Sequence, residues 1–302
     1  MSHAATAAAE PVASSGAVRG FLRLVVIEHS VFALPFAYVS ALTAMRESGR
    51  RLEWVTLLLI TVAMVAARTF AMAANRVIDR EIDARNPRTA TRELVTGELS
   101  VRTAVVGMAV ALVAFLGSAA LLSPLCLVLA PLAVAPLIVY PYGKRFTWLC
   151  HAILGLAQAV APVGAWIAVT GKWSWTAVLL GLAVGTWVGA FDLIYACQDV
   201  ESDRREGVQS LPARFSVATA LRVSAAVHVV TVVLLATYGL AAHLGIWWGI
   251  GVAATATALI YEHSIVSATD LSRVNRAFFV VNGYVGCGLL GFALADLLPG
   301  LT

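Results

Sequence analysis

Charge is scarce in this 302-residue chain: Asp, Glu, Lys and Arg make up 13% of it, against 60% hydrophobic residues. Soluble domains carry about 25% charged residues, so a water-soluble globular enzyme is excluded, and a disordered chain with it. Cysteine is scarce too. Cys126, Cys150, Cys197 and Cys287 stand far apart in apolar runs, with no Cys-x-x-Cys pair, which removes zinc ribbons and disulfide frameworks. Walker-type Gly-x-x-x-x-Gly-Lys, His-Glu-x-x-His and Gly-x-Ser-x-Gly strings are missing. Nucleotide hydrolysis, zinc proteolysis and elbow-serine chemistry therefore lack their machinery. A formal charge of +4, closely offset by acids, gives no reason to expect a nucleic-acid partner. What remains is a polytopic membrane protein in contact with a lipid bilayer.

A helix that crosses a bilayer needs about 20 apolar residues. Nine stretches qualify, at 24–45, 53–74, 101–122, 124–142, 148–170, 175–196, 216–238, 243–261 and 277–297. The expected fold is an all-α bundle of nine transmembrane helices. Residues 1–18 are rich in Ala and Ser, without a basic segment ahead of an apolar core. They read as a disordered lead rather than a signal peptide, and 19–302 as one membrane domain. Lys and Arg fall fifteen to four on the side of the N-terminus and the even-numbered loops, with Arg68 and Arg222 inside spans. That side is cytoplasmic by the positive-inside rule, so the expectation is a multi-pass protein of the plasma or inner membrane.

The polar residues within the spans converge at one depth. Glu28, His29, Arg68, Tyr140, His151, Asp192, Arg222 and Asn282 all fall in the cytoplasmic third. Ionisable groups inside a membrane are costly and face a bundle interior or a wet pocket, which suggests a cavity open to the cytoplasm. Interfacial snorkelling accounts for Arg222 and His151 but not for Asp192 and Arg68. His228 lies deeper and reads as a hydrogen-bonded packing residue.

Ten of the seventeen acids fall in two segments, 79–98 and 192–206. Spacing of four places Asn75, Asp79 and Asp83 on one helical face, and Asp192, Tyr195, Asp199 and Asp203 share another. The string Asp-x-Glu-x-Asp-x-Arg occurs in both, at 79–85 and 199–205, as two parallel repeats would produce. Stacked carboxylates repel unless cations hold them. Hard oxygen ligands with open positions suit Mg²⁺ bridging to substrate phosphates. The interleaved Arg76, Arg80, Arg85, Arg88, Arg92, Lys144, Arg145, Arg204 and Arg205 combine positive-inside residues with the basic groups a diphosphate requires.

These residues resemble the UbiA superfamily of intramembrane aromatic prenyltransferases. Its motifs Asn-Asp-x-x-Asp-x-x-x-Asp and Asp-x-x-Tyr-x-x-x-Asp-x-x-x-Asp are matched by Asn75, Asp79 and Asp83 and by Asp192, Tyr195, Asp199 and Asp203. At position 76 the family's common Asp is Arg. Arg68, the Arg88-Thr89-x-x-Arg92 stretch and Tyr140-Pro141-Tyr142-Gly143-Lys144-Arg145 are further family-like pieces. The strings Ile27–Phe36 and Asp83–Thr89 are similar to the menaquinone branch of the futalosine route, the MqnP-like enzymes. The resemblance implies Mg²⁺-dependent transfer of a polyprenyl group from polyprenyl diphosphate to an aromatic acid. The implied acceptor is 1,4-dihydroxy-6-naphthoate, with 4-hydroxybenzoate, the acceptor of the ubiquinone branch, as the alternative.

The residue roles expected from this resemblance follow. Asn75, Asp79, Asp83, Asp199 and Asp203 hold Mg²⁺. Asn75, Tyr140, Lys144, Arg145 and Arg205 bind the diphosphate. Arg23, Arg68 or His29 meet the acceptor, with Asp192, Tyr195 and Arg68 as the catalytic set. Asp79 and Asp199 are expected to be exposed at the rim. A cation channel, the non-enzymatic alternative, would place its carboxylates at mid-membrane rather than at the rim.

Overall fold

The computed structural model describes Gly20, Phe21, Leu24 and residues 33–301. The expected disordered lead lies outside the described residues, as do Arg23, Glu28 and His29. What is described is helical, with no strand among the described residues. In chain order the helices are α1 (Leu34–Glu47), α2 (Trp54–Ile78), α3 (Arg80–Arg85), α4 (Glu93–Thr96), α5 (Val101–Leu122), α6 (Pro124–Gly143) and α7 (Cys150–Thr170). Then come α8 (Trp175–Ala196), α9 (Val200–Glu206), α10 (Leu211–Arg214), α11 (Val217–Ala241), α12 (Ile246–Ser264) and α13 (Asn282–Leu297). Serine marks several starts, because its hydroxyl accepts an otherwise unpaired first-turn N–H. Ser100, Ser123, Ser174 and Ser216 cap α5, α6, α8 and α11 in this way. Ser123, with φ −163° and ψ 153°, alone separates α5 from α6.

Seven helices among the described residues are long and apolar enough to cross a membrane: α2, α5, α6, α7, α8 with its extension to Glu206, α11, and α13 with its flanking turns. The expected count was nine. Of the other two, α1 has 14 described residues, and α12 carries Trp247, Trp248, Glu262 and His263 within its 19. Outward positions are hydrocarbon, including Trp54, Val55 and Leu58 on α2, Val110 and Val113 on α5, and Val233 and Leu240 on α11. The chain is a multi-pass membrane protein.

Small residues bring the central helices together, as expected where lipid supplies no hydrophobic drive between them. α7 packs on α8, and a Cβ on Gly155 would lie 2.3 Å from the Gly185 carbonyl oxygen. An aromatic ladder continues the core toward one end of the bundle. Trp187 stacks on Phe36 and Phe191 at 5.2 Å each, Phe191 on Phe278 at 5.0 Å, and Phe278 on Tyr195 at 4.2 Å. Phe278 rides on a π-helical turn, Arg276–Val281, just ahead of α13. Asn282 pins that turn: its Oδ1 accepts from Trp187 Nε1 at 2.7 Å, and its Nδ2 donates to Glu262 Oε1 at 2.9 Å and Ala277 O at 3.1 Å. His228, expected as a packing residue, is buried, with His263 Nε2 at 2.9 Å from its Nδ1.

Two stability tests follow from this packing. Gly155→Val should force α7 from α8 and cost about 1–3 kcal/mol or abolish folding. Gly117→Ala, with nothing within 4 Å of the added carbon, should melt like the wild type. Asn282→Leu removes the acceptor of Trp187 Nε1–H and the donor to Glu262, both buried. Such losses cost about 1–3 kcal/mol per orphaned group, read as a lowered Tm of the purified protein. An unchanged Tm would mean that Asn282 is not the pin of the π turn.

Candidate active site

The two acidic segments break their helices at the same place. Asp79 ends α2 with φ −93° and ψ 1°, and Asp199 precedes α9 with φ −100° and ψ 3°. Both are the first residue of the repeated Asp-x-Glu-x-Asp-x-Arg string, so two equal strings adopt equal turns. The break re-aims the carboxylates and frees each segment to meet side chains from elsewhere. The loop after α3 supplies most of these. Arg88 donates Nε and Nη2 to the two oxygens of Asp199 at 2.9 and 2.6 Å, and its Nη1 to Tyr195 OH at 3.1 Å. Asn86 Nδ2 adds a bond to Asp199 Oδ1 at 3.0 Å, and Arg92 donates to Asp83. Arg85 reaches Glu206 at 2.7 Å. First and second segments are thereby joined.

The loop after α6 reaches Asp79. Lys144 Nζ donates to Asp79 Oδ2, beside the bond from Asn75 Nδ2 at 3.0 Å, and Arg145 stands 3.7 Å from Asp79 Oδ1. Ser210 donates to Asp203. Asp79, expected to be exposed at the rim, is only 1% exposed, Asp199, expected to be exposed with it, is half-buried, and Asp83 is buried as well. Burial pushes the Asp79 carboxyl above its usual range, against the pull of Lys144. It therefore takes up a proton sooner than an ordinary aspartate as pH falls. Burial works against the charge of Arg88 as well, but the hydrogen bonds and charge of Asp199 outweigh it and hold this guanidinium above its ordinary value.

Above these ends a cavity of about 610 Å³ runs along α2, α6 and α7. One end is polar, lined by Arg68, Asn75, Arg76, Arg88, Arg92, Tyr140, Asp192 and Tyr195. Apart from Gln158 the rest is almost wholly apolar, past Ala71, Met64, Leu137, Leu129, Ile167 and down to Ile60 and Leu122. Along α2 the lining extends from Arg76 to Ile60, sixteen residues or about 24 Å. Asp192 is held by His151, whose Nδ1 lies 2.7 Å from Asp192 Oδ2 while its Nε2 faces the Leu211 amide at 3.4 Å. His151, expected to snorkel, is instead a buried partner of Asp192, because α7 and α8 pack closely enough to pair them.

Of the expected residues, Arg68, Asn75, Tyr140, Asp192 and Tyr195 line the polar end of the cavity, and Asp79, Asp83 and Asp199 stand behind it, bonded to the lining residues Asn75, Arg92 and Arg88. Lys144 and Arg145 lie beside Asp79, and Asp203 is held by Ser210. The structure does not gather Arg205, which is exposed and bonds Glu201 O of its own helix at 3.3 Å. Arg222 is also exposed and bonds Ala218 O. Asn282 turns away from the cavity into its own network. Asn86, Arg88, Ser210, His151 and Phe278 were missing from the expected site set. The sequence did signal Arg88 and Asn86, in the family-like strings behind the first acidic segment, and His151, at the depth where the polar residues converge, but nothing in it signalled Ser210 or Phe278.

The donor chemistry suits a hard divalent cation, since carboxylate and amide oxygens are its preferred ligands. Asp79 Oδ1 is buried without a hydrogen-bond partner, an oxygen with coordination to spare. No group of three or more His, Cys, Asp or Glu among the described residues is placed to hold a metal ion. The carboxylates here bind protein cations, which buried charge demands.

The chain matches known proteins along most of its length. The UbiA prenyltransferase family pattern covers residues 33–283. The 4-hydroxybenzoate octaprenyltransferase of Pseudomonas aeruginosa is 30% identical over 244 residues, 81% of this chain and 82% of that protein. The mitochondrial 4-hydroxybenzoate polyprenyltransferase of Schizosaccharomyces pombe is 31% identical over 253 residues, 81% of this chain and 68% of its own length. Among solved structures, a UbiA homologue from Aeropyrum pernix superimposes with a TM-score of 0.80 at 34% identity, covering 89% of this chain and 98% of that one. A second homologue, from Archaeoglobus fulgidus and solved with DMAPP and Mg²⁺, shares the fold with a TM-score of 0.72 at 19% identity, over 92% and 99% of the two chains. With the family pattern, the full-length relatives and the two-segment acidic site in agreement, the chain belongs to the UbiA prenyltransferase family and is an aromatic prenyltransferase.

Proposed function

We propose that this protein transfers a polyprenyl group from polyprenyl diphosphate to a ring carbon of 4-hydroxybenzoate. One observation carries the reading: a single cavity joins a long apolar wall to an end where basic side chains and two acidic segments meet. A prenyl diphosphate has that same division, a hydrocarbon tail behind a polyanionic head. The names of relatives at 30–31% identity favour hydroxybenzoate over the dihydroxynaphthoate expected from the sequence. The 27–36 string behind that expectation lies largely outside the described residues.

Mg²⁺ belongs to this proposal, held by Asn75, Asp79 and Asp83 from one segment and Asp199 and Asp203 from the other. When bound, it supplies Lewis-acid stabilisation of the charge growing on the leaving diphosphate. A fold neighbour solved with DMAPP and Mg²⁺ supports its inclusion. Lys144 and Arg145 hold phosphate oxygens by charge-assisted hydrogen bonds, with Arg88 and Arg92 beside them. The apolar wall keeps water from the allylic carbon as its bond to diphosphate oxygen breaks.

Arg68 lies on α2 eight residues from Arg76, about 12 Å deeper. It lines the cavity with a buried Nε that has no hydrogen-bond partner. It pairs with the carboxylate of the acceptor. Asp192, fixed by His151, accepts a hydrogen bond from the ring hydroxyl and raises electron density at the neighbouring carbon, which bonds to the allylic carbon as diphosphate leaves and then passes its proton to the Asp192 carboxylate. Tyr195, between the two ends, positions the reacting carbons. The site opens to the cytoplasm, as the fifteen-to-four basic asymmetry implies.

Membranes containing the protein should prenylate 4-hydroxybenzoate with radiolabelled prenyl diphosphate, and EDTA should abolish the reaction. Mass spectrometry after competition with dihydroxynaphthoate identifies the acceptor, and a naphthoate product alone would overturn the choice made here. Arg68→Ala should raise the acceptor KM about tenfold or more, the worth of one charged hydrogen bond, and leave the donor KM near wild type. Asp192→Asn should still bind prenyl diphosphate but lose transfer. Loss of donor affinity in that variant would move Asp192 to the diphosphate side.

A further inference from the structure

Arg76 directly follows Asn75, on the last turn of α2. The side chain lines the polar end of the cavity together with Asn75, Arg88 and Arg92. Its Nε is buried and has no hydrogen-bond partner. Its charged neighbours are Arg92, Asp83, Glu93 and Arg88. The two arginines repel it and are themselves engaged, Arg92 with Asp83 and Arg88 with Asp199. A buried guanidinium donor without an acceptor is costly. An anionic oxygen entering the cavity would relieve that cost.

We infer that Arg76 binds an oxygen of the donor diphosphate through its Nε–H, giving this protein a protein-borne anchor for the donor in addition to the acidic segments. The inference deepens the proposed function and rests on it. The fork of the guanidinium matters, because planar paired donors match phosphate oxygens in a way that an ammonium does not. Arg76 stands about 12 Å from Arg68 along α2, so one wall presents two anion stations. The station near Arg88 and Arg92 takes the diphosphate, and the deeper one takes the acceptor carboxylate. With such an anchor, donor capture survives removal of divalent cations even though transfer does not.

The test is calorimetric binding of geranyl diphosphate to the detergent-purified full-length protein, in EDTA and again in excess Mg²⁺. The wild type should bind in EDTA, and Arg76→Gln should bind about tenfold more weakly there. Arg76→Asp should lose more in EDTA and recover much of the loss in Mg²⁺. Inorganic diphosphate should follow the same order, and Arg222→Ala should match the wild type throughout. Equal affinity of Arg76→Gln and wild type in EDTA would overturn the inference. Should Arg76→Gln not fold, Arg76→Lys decides: it keeps the charge but lacks the Nε–H, so it should bind several-fold more weakly, and wild-type affinity would overturn the assignment. Failure of the wild type to bind geranyl diphosphate even in Mg²⁺ would instead sink the functional reading on which the inference stands.

Discussion

A carboxylate set beside hydrocarbon must have a cation or hydrogen-bond donor within reach, and the site is built around that requirement. Asp79 has Lys144, Asp83 has Arg92, Asp199 has Arg88 and Asp192 has His151. Lys144, Arg88 and His151 come from segments far from their acids in the chain, so those pairings also fix a loop or a helix contact, whereas Arg92 closes the turn that follows Asp83. Breaking such a pair by removing one member leaves the other charge stranded, which costs more than the pair itself contributes. The carboxylates therefore stay fixed behind the polar end of the cavity.

The same pairing explains how a charged rim coexists with an oily interior. Lys144 and Arg145 leave α6 just past its last turn, and Arg88 and Arg92 lie in the stretch between α3 and α4. The cations thus sit on short connecting segments, where side chains can exchange a carboxylate for a phosphate oxygen without disturbing a long helix. The cavity wall beyond them is made from long helices, α2, α6 and α7. Rigid walls and adaptable charges match the two halves of the proposed amphiphilic donor.

The aromatic ladder connects this end to the packed core. Phe36, Trp187, Phe191, Phe278 and Tyr195 form consecutive contacts, and Arg88 lies 5.2 Å from the Tyr195 ring centre. Tyr195 is therefore braced on one side by the core and on the other by the arginine that binds Asp199. Asn282, spanning Trp187, Glu262 and Ala277, fixes the π turn that carries Phe278. π turns occur often at functional sites, and here the turn supplies one wall of the cavity.

The amino-acid sequence alone was enough for the helical membrane class and for the two acidic segments, because these rest on local hydropathy and on spacing along one helix. Asn75 and Asp79 meet four residues apart for that reason. It also carried the repeat whose two copies turn alike at Asp79 and Asp199. Tertiary structure decided the remainder. That Arg88 would choose Asp199, His151 would choose Asp192, and Asn282 would leave the cavity for Trp187 depended on contacts between segments far apart in the chain. Arg205 shows the converse: its spacing looked right, yet it faces outward. Periodicity tells which residues share a helical face, whereas the facing partner is set by how whole helices pack, and that packing turns on close approaches such as Gly155 against Gly185.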